Sequence, residues 1–92
     1  MIELNGQNYK LIENVRDGFQ EDALNERYSE ILQKYDFIVG DWGFDQLRLK
    51  GFFHDKNVKA SFDSKISMLD DYIYEYCNFG CAYFVLEKVK SK

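Results

Sequence analysis

Phe37-Ile-Val-Gly-Asp-Trp-Gly-Phe-Asp-Gln-Leu-Arg-Leu-Lys-Gly-Phe-Phe53 carries the strand pattern around which the rest of the chain is organised. From Gln46 to Phe53 it alternates, with Leu47, Leu49 and Phe53 on one side of an extended chain and Arg48, Lys50 and Phe52 on the other. Side chains of a strand point to opposite faces at period two, so one side is predicted to meet a core and the other to meet water. Ahead of it, Phe37-Ile-Val39 is a short apolar run, predicted as a buried strand entering a turn at Gly40-Asp-Trp-Gly43. After it, His54-Asp-Lys-Asn57 is turn chemistry. Val58 to Asp63 then alternates again, placing Val58, Ala60 and Phe62 inward and Lys59, Ser61 and Asp63 outward. Together these runs predict an antiparallel meander.

On the N-terminal side, Ile2 to Leu4 and Gln7 to Ile12 flank Asn5-Gly6, and those two residue types tolerate the positive φ that a type I′ hairpin turn requires. A polar loop is expected over Asn14 to Gly18. Glu21 to Tyr35 sets Leu24, Tyr28, Ile31 and Tyr35 at helical spacing with Leu32 beside them, which predicts one helix. Glu21 and Asp22 suit its positive end, and Glu30 with Lys34 forms an i,i+4 pair on the solvent side. Near the C-terminus, Ser67-Met-Leu-Asp70 is a shortened capping box. It opens a second helix with Ile66, Leu69, Ile73 and Tyr76 on one face and an expected stop around 78–80. Cys81 to Val89 is apolar on both phases up to Leu86, the pattern of a strand covered on both sides. The order ββαβββαβ predicts an α+β fold, a single compact domain over residues 1–92 with a mainly antiparallel sheet and two helices packed on it.

Composition narrows the function classes. The chain has 92 residues, 46% apolar and 17% aromatic, with six Gly and no Pro, which excludes disordered and collagen-like chains. Folding would bury roughly 65% of the unfolded surface, enough for a real core. No stretch of eighteen apolar residues exists, and the opening Met1-Ile-Glu-Leu-Asn5 lacks the basic start and apolar run of a signal peptide, so a cytoplasmic protein with no membrane partner is expected. The net charge of −4 argues against generic duplex DNA binding, because attraction to phosphate supplies most non-specific affinity. Only residues 37–66 carry a positive balance, with Arg48, Lys50, Lys56, Lys59 and Lys65 against Asp41, Asp45, Asp55 and Asp63.

Four segments give the chain a family likeness: Arg27-Tyr-Ser-Glu30, Tyr35-Asp-Phe-Ile-Val-Gly-Asp-Trp-Gly43, Gln46-Leu-Arg-Leu-Lys-Gly-Phe-Phe53 and Tyr74-Glu-Tyr-Cys-Asn-Phe-Gly-Cys-Ala-Tyr-Phe84. With them the chain resembles the YutD-like family of small, uncharacterised proteins from Gram-positive bacteria. The resemblance covers nearly the whole chain and implies a complete YutD-like domain in a Gram-positive cytoplasm. It implies no activity and supplies no catalytic or binding residue, so function is argued from the side chains.

The first candidate site is the outward face of the predicted meander, where Arg48, Lys50, Phe52 and Lys59 would project together and Trp42 would extend the platform. Cations beside an aromatic suit single-stranded RNA, whose phosphates want positive charge and whose bases stack on rings. The same residue types dominate protein–protein hot spots, and the acidic total favours a protein partner over RNA. The plainer reading is that Arg and Lys solubilise an open sheet face while a helix or a neighbour covers Phe52.

The second candidate is Cys77-Asn-Phe-Gly-Cys81, a thiol pair that could serve redox chemistry or half of a zinc site. One pair with a distant His54 falls short of four ligands, and reduced cysteines filling small gaps are the simpler expectation. Asp36, Asp41 and Asp45 lie around Gly40 and Gly43, but they lack the alternate spacing of a Ca²⁺ or Mg²⁺ loop and suit backbone hydrogen bonding instead. His54 is expected as a surface turn residue, and of Tyr72, Tyr74 and Tyr76 the last is expected in the core. No acid, base and nucleophile set is visible, so an enzyme ranks last and no cofactor is expected. The sequence therefore points to a binding or adaptor module acting through Trp42, Arg48, Lys50, Phe52 and Lys59, with a Cys77/Cys81 thiol or zinc protein as the alternative.

Overall fold

The computed structural model describes residues 2–43, 46–76 and 81–89; the side chain of Tyr76 lies outside the description. Five strands form one antiparallel sheet: β1 (Ile2–Leu4), β2 (Gln7–Val15), β3 (Phe37–Gly43), β4 (Gln46–Phe52) and β5 (Tyr83–Lys88), in the order β1-β2-β5-β3-β4. Two helices accompany it, α1 (Glu21–Arg27) and α2 (Leu69–Tyr76). The α+β class, the antiparallel sheet and the two helices agree with the sequence expectation.

The hairpin forms at Asn5 (φ 52°) and Gly6 (φ 84°), the pair of left-handed positions that a type I′ turn demands. β2 runs on through Val15, and a bulge between Leu11 and Glu13 leaves Ile12 unpaired and exposed. β5 occupies the centre of the sheet between β2 and β3, which is why its apolar residues fall on both phases. Phe84 and Leu86 face one side and Val85 the other, all buried.

Three local expectations give way to the structure. First, Gly40 to Gly43 is strand rather than turn. β3 continues to Gly43 opposite Gln46, and Gly40 stays within it because the Phe84 ring lies where a Cβ would point. Second, the helix predicted over 21–35 ends at Arg27. Tyr28 and Ser29 are extended, and a 3-10 turn covers Glu30–Lys34. The break brings Tyr28 edge-on to Tyr9, with ring centroids 6.5 Å apart, and keeps both Leu24 and Leu32 buried while Ile31 turns outward, 71% exposed.

Third, residues 58–63 are turn and 3-10 helix, not strand. The Asn57 carboxamide accepts from the Lys59 amide at 2.9 Å, and the Ser61 and Ser64 hydroxyls bond within the loop. Such short side-chain bonds hold the backbone in turns and compete with a sheet ladder. The segment returns to the sheet only at Phe53, whose amide donates to the Ser64 carbonyl and whose carbonyl accepts from Ile66, both at 2.8 Å.

The sheet is covered on both faces. On the first, α1 and the 3-10 turn contribute Leu24 and Leu32 to a core with Leu4, Tyr9, Ile38, Leu47, Phe84 and Leu86. On the second, Ile66, Leu69, Tyr72 and Ile73 pack over Phe37, Val39, Phe52 and Val85. At about 1.5–3 kcal/mol for each fully buried large apolar side chain, both clusters drive folding. Among the described residues no helix is long and apolar enough to cross a membrane.

Candidate functional site

The second face is where charge meets core. Cross-strand pairing sets Asp41 of β3 opposite Arg48 of β4, and the Arg48 Nε donates to Asp41 Oδ1 at 2.8 Å. Asp41 is wholly buried, and its Oδ2 accepts from the Tyr72 hydroxyl at 2.8 Å. A buried carboxylate is tolerated only when charge and hydrogen bonds answer it, and here one guanidinium and one phenol do so. Asp41 therefore ties α2 to the sheet. Beside it, the Tyr72 ring meets Phe52 edge-on at 5.6 Å. The Lys50 ammonium lies 5.4 Å from the Phe52 centroid and 5.8 Å from that of Tyr72, within cation–π range of both.

Next to this cluster lies a cavity of about 220 Å³, lined by Lys50, Asp63, Met68, Asp71, Tyr72 and Glu75. Small-molecule sites run to about 300–1,000 Å³, so this one suits a single side chain better than a cofactor. Among the described residues no ion pair joins Asp63, Asp71 or Glu75 to a cation. Next in the chain to lining residues, Phe62 (73%) and Tyr74 (79%) stand in water, as does Val58 (92%) earlier in the same turn. Tyr83, on the same face, has its phenol pushed above the ordinary tyrosine range by burial and then by the Glu13 and Asp70 carboxylates.

A family model described as "Putative antitoxin YutD-like" matches residues 3–87. The chain belongs to the YutD-like family. It is 62% identical over 91 residues to "Putative antitoxin YutD" of Bacillus subtilis (strain 168), covering 99% of this chain and all of that protein. The solution NMR structure of YutD from B. subtilis superposes on it with a TM-score of 0.84, covering 99% of this chain and 83% of that one. The resemblance and the fold class read from the sequence are both borne out.

The YutD-like fold does not bring the predicted basic-aromatic set onto one surface. Arg48, Lys50 and Phe52 share the second face, as β4 alternation required, but Phe52 is fully buried beneath Tyr72. Trp42 belongs to the first face, partly buried against its core, and its indole donates to the Gly18 carbonyl at 2.7 Å. Lys59 sits exposed in the 57–60 turn, with no strand there to align it with Lys50. Two of the five residues thus remain as a cationic pair, Arg48 and Lys50.

The other candidates also take definite places. Cys81 is disulfide-bonded rather than reduced, and a sulfur so engaged offers no thiolate to zinc; Cys77 lies outside the described residues. Asp36 accepts from the His54 amide at 2.9 Å, the backbone role expected of it, and Asp45 lies outside the description. His54 is half-buried with its ring 4.8 Å from Phe37, so it is a packing residue more than a surface one. Among the described residues no three His, Cys, Asp or Glu converge as metal ligands. The residues that sequence reasoning missed are Val58, Phe62, Asp63 and Met68, since the strand pattern turned Val58 and Phe62 inward. A signal for the remainder was present in α2, where Asp71 and Glu75 at i,i+4 share one helix flank.

Proposed function

We propose that this YutD-like chain is a cytoplasmic, non-enzymatic binding module in an antitoxin-type role, and that what it binds is a protein. The observation that carries this reading is the set of large apolar side chains left in water in the 58–63 turn and on α2: Val58, Phe62 and Tyr74. A small domain with a filled core gains no stability from them, whereas aromatic side chains at a surface are the usual anchors of protein interfaces. The name of the B. subtilis relative, putative antitoxin, supports the same role. Single-stranded RNA is the weaker partner class, since Phe52 is covered and Trp42 faces the other side, leaving Arg48 and Lys50 without an exposed ring beside them for a base to stack on.

The test is capture from a lysate of the native host with the tagged chain, with and without nuclease. A stoichiometric protein that persists through nuclease, and whose growth-inhibiting effect is relieved on co-expression of this chain, is the expected result. Recovery that depends entirely on intact RNA would replace the protein reading with the RNA one.

A further inference from the structure

We propose that the docking surface is the outward flank of α2 together with the 58–63 turn, and that it receives a basic protein partner by seating one arginine or lysine side chain in the cavity beside Tyr72. This rests on the reading above that the partner is a protein, and adds where it binds and what chemistry it presents. The exposed side chains and the cavity belong to one neighbourhood: Phe62 adjoins Asp63 in the chain and Tyr74 lies between Asp71 and Glu75, and those three acids line the cavity. Apolar anchors therefore stand next to the acidic recess.

Charge complementarity selects the occupant. Three carboxylates and one ammonium line the cavity, giving it a balance of −2. The single ammonium, Lys50, is turned toward the Phe52 and Tyr72 rings, and although Asp63 Oδ1 accepts from the Ser61 hydroxyl at 2.9 Å, that neutral donor leaves the negative charge of the three carboxylates for an incoming cation. Met68 and Tyr72 supply apolar wall for an alkyl stem, and the acids supply acceptors for its charged end, which is how long basic side chains bury their stems and keep their heads solvated. An anionic partner such as an RNA phosphate would be repelled here.

The experiment has two arms. In the first, the labelled chain is titrated with a capped hexapeptide containing two arginines between leucines, and followed by NMR. Saturable shifts at Met68, Asp71, Tyr72 and Glu75, absent with the citrulline version of the peptide, are expected. Equal shifts with both peptides, or shifts centred elsewhere, overturn the assignment. In the second, the captured partner is tested against Asp63→Asn, Asp71→Asn, Glu75→Gln combined, and separately against Phe62→Ser. All four positions are exposed, so folding is retained. A weakening of about tenfold or more by each variant, with the charge variant also flattening the salt dependence, is expected. Unchanged affinity in both variants would overturn this surface while leaving the protein-binding reading intact. Failure to capture any protein counts against that earlier reading instead, and the peptide arm then decides the cavity independently.

Discussion

On the first face of the sheet, Leu24 and Leu32 press onto Tyr9, Ile38, Phe84 and Leu86, and the polar contacts at its margin involve no carboxylate: Tyr9 with Tyr28, the Trp42 indole with the Gly18 carbonyl, and the Lys88 ammonium with the Gln33 carbonyl. On the second face the same strands present Asp41, Arg48 and Lys50 to a short helix, which answers with a phenol and a ring. The two faces divide the molecule's work. A core of apolar contacts tolerates small losses at many points, whereas on the second face the packing of Leu69, Tyr72 and Ile73 is joined to one buried carboxylate whose hydrogen bonds no neighbour among the described residues replaces. The face that carries charge into its core also leaves two aromatic side chains, Phe62 and Tyr74, in water beside its cavity.

Asp41→Ala should therefore weaken the second face far more than the first. It removes the buried carboxylate to which both the Arg48 Nε and the Tyr72 hydroxyl donate, and because the Arg48 side chain is 44% exposed to water the loss is that of hydrogen bonds to a charged group, about 2–3 kcal/mol. Denaturant unfolding should show that loss, and amide exchange should rise first in α2 and not in α1. Asp41→Asn keeps an acceptor for Tyr72 and should recover part of the stability. Exchange rising equally over both helices would mean that Asp41 holds the whole sheet and not one face.

On the first face the corresponding weak point is steric. Gly40 packs beneath the Phe84 ring, and a Cβ there would collide with it. Gly40→Ala is expected to cost about 1–3 kcal/mol, as overpacking does, with amide exchange raised in β3 and β5. A compensating Phe84→Leu in the same chain should return some of that loss, because the clash is with the ring and not with backbone.

How much of this was legible follows from the range of the interactions involved. Asn5-Gly6 and the apolar run of β5 are local signals, and both meant what they said. The helix over 21–35 was misread because periodicity shows which residues want burial, not whether one unbroken helix delivers them. Extended backbone at Tyr28 and Ser29 let Leu24 and Leu32 reach the same core from two short pieces. Val58 to Asp63 has strand alternation, yet Asn57, Ser61 and Ser64 satisfy the backbone within the loop. The site suffered most from register: with the turn placed at Gly40 to Gly43, neither the Asp41–Arg48 pair nor the inward course of Trp42 could be seen. Once β3 runs to Gly43, parity alone puts Trp42 with Leu47 and Asp41 with Arg48.

Titration distinguishes the faces from the alkaline side. Burial, then the hydrogen bond and proximity of Tyr28, raises the Tyr9 phenol well above its ordinary range. A folded-state value above the unfolded one means that the native state holds a proton the unfolded chain has released, so this contribution is intact below about pH 10 and is lost as pH rises beyond it. Stability of the wild type should thus decline above about pH 10, and Tyr9→Phe should flatten the decline. Tyr83, on the second face, is raised too, by burial and by Glu13 and Asp70, so some slope should remain in that variant. A slope unaltered by Tyr9→Phe would place the alkaline sensitivity on the second face instead.

The smallest expected change in stability is the most informative about function. Truncating a core phenylalanine costs about 3–5 kcal/mol, but Phe62 and Val58 touch water over most of their surface. Phe62→Ser and Val58→Ser should each move the unfolding free energy by no more than about 0.5 kcal/mol, the range of ordinary surface substitutions. Partner affinity should nevertheless fall with Phe62→Ser, separating binding from folding in one residue. If Phe62→Ser instead destabilised the chain by a kilocalorie or more, the 58–63 turn would be packed in solution against α2, and the second face would be closed in the way the first one is.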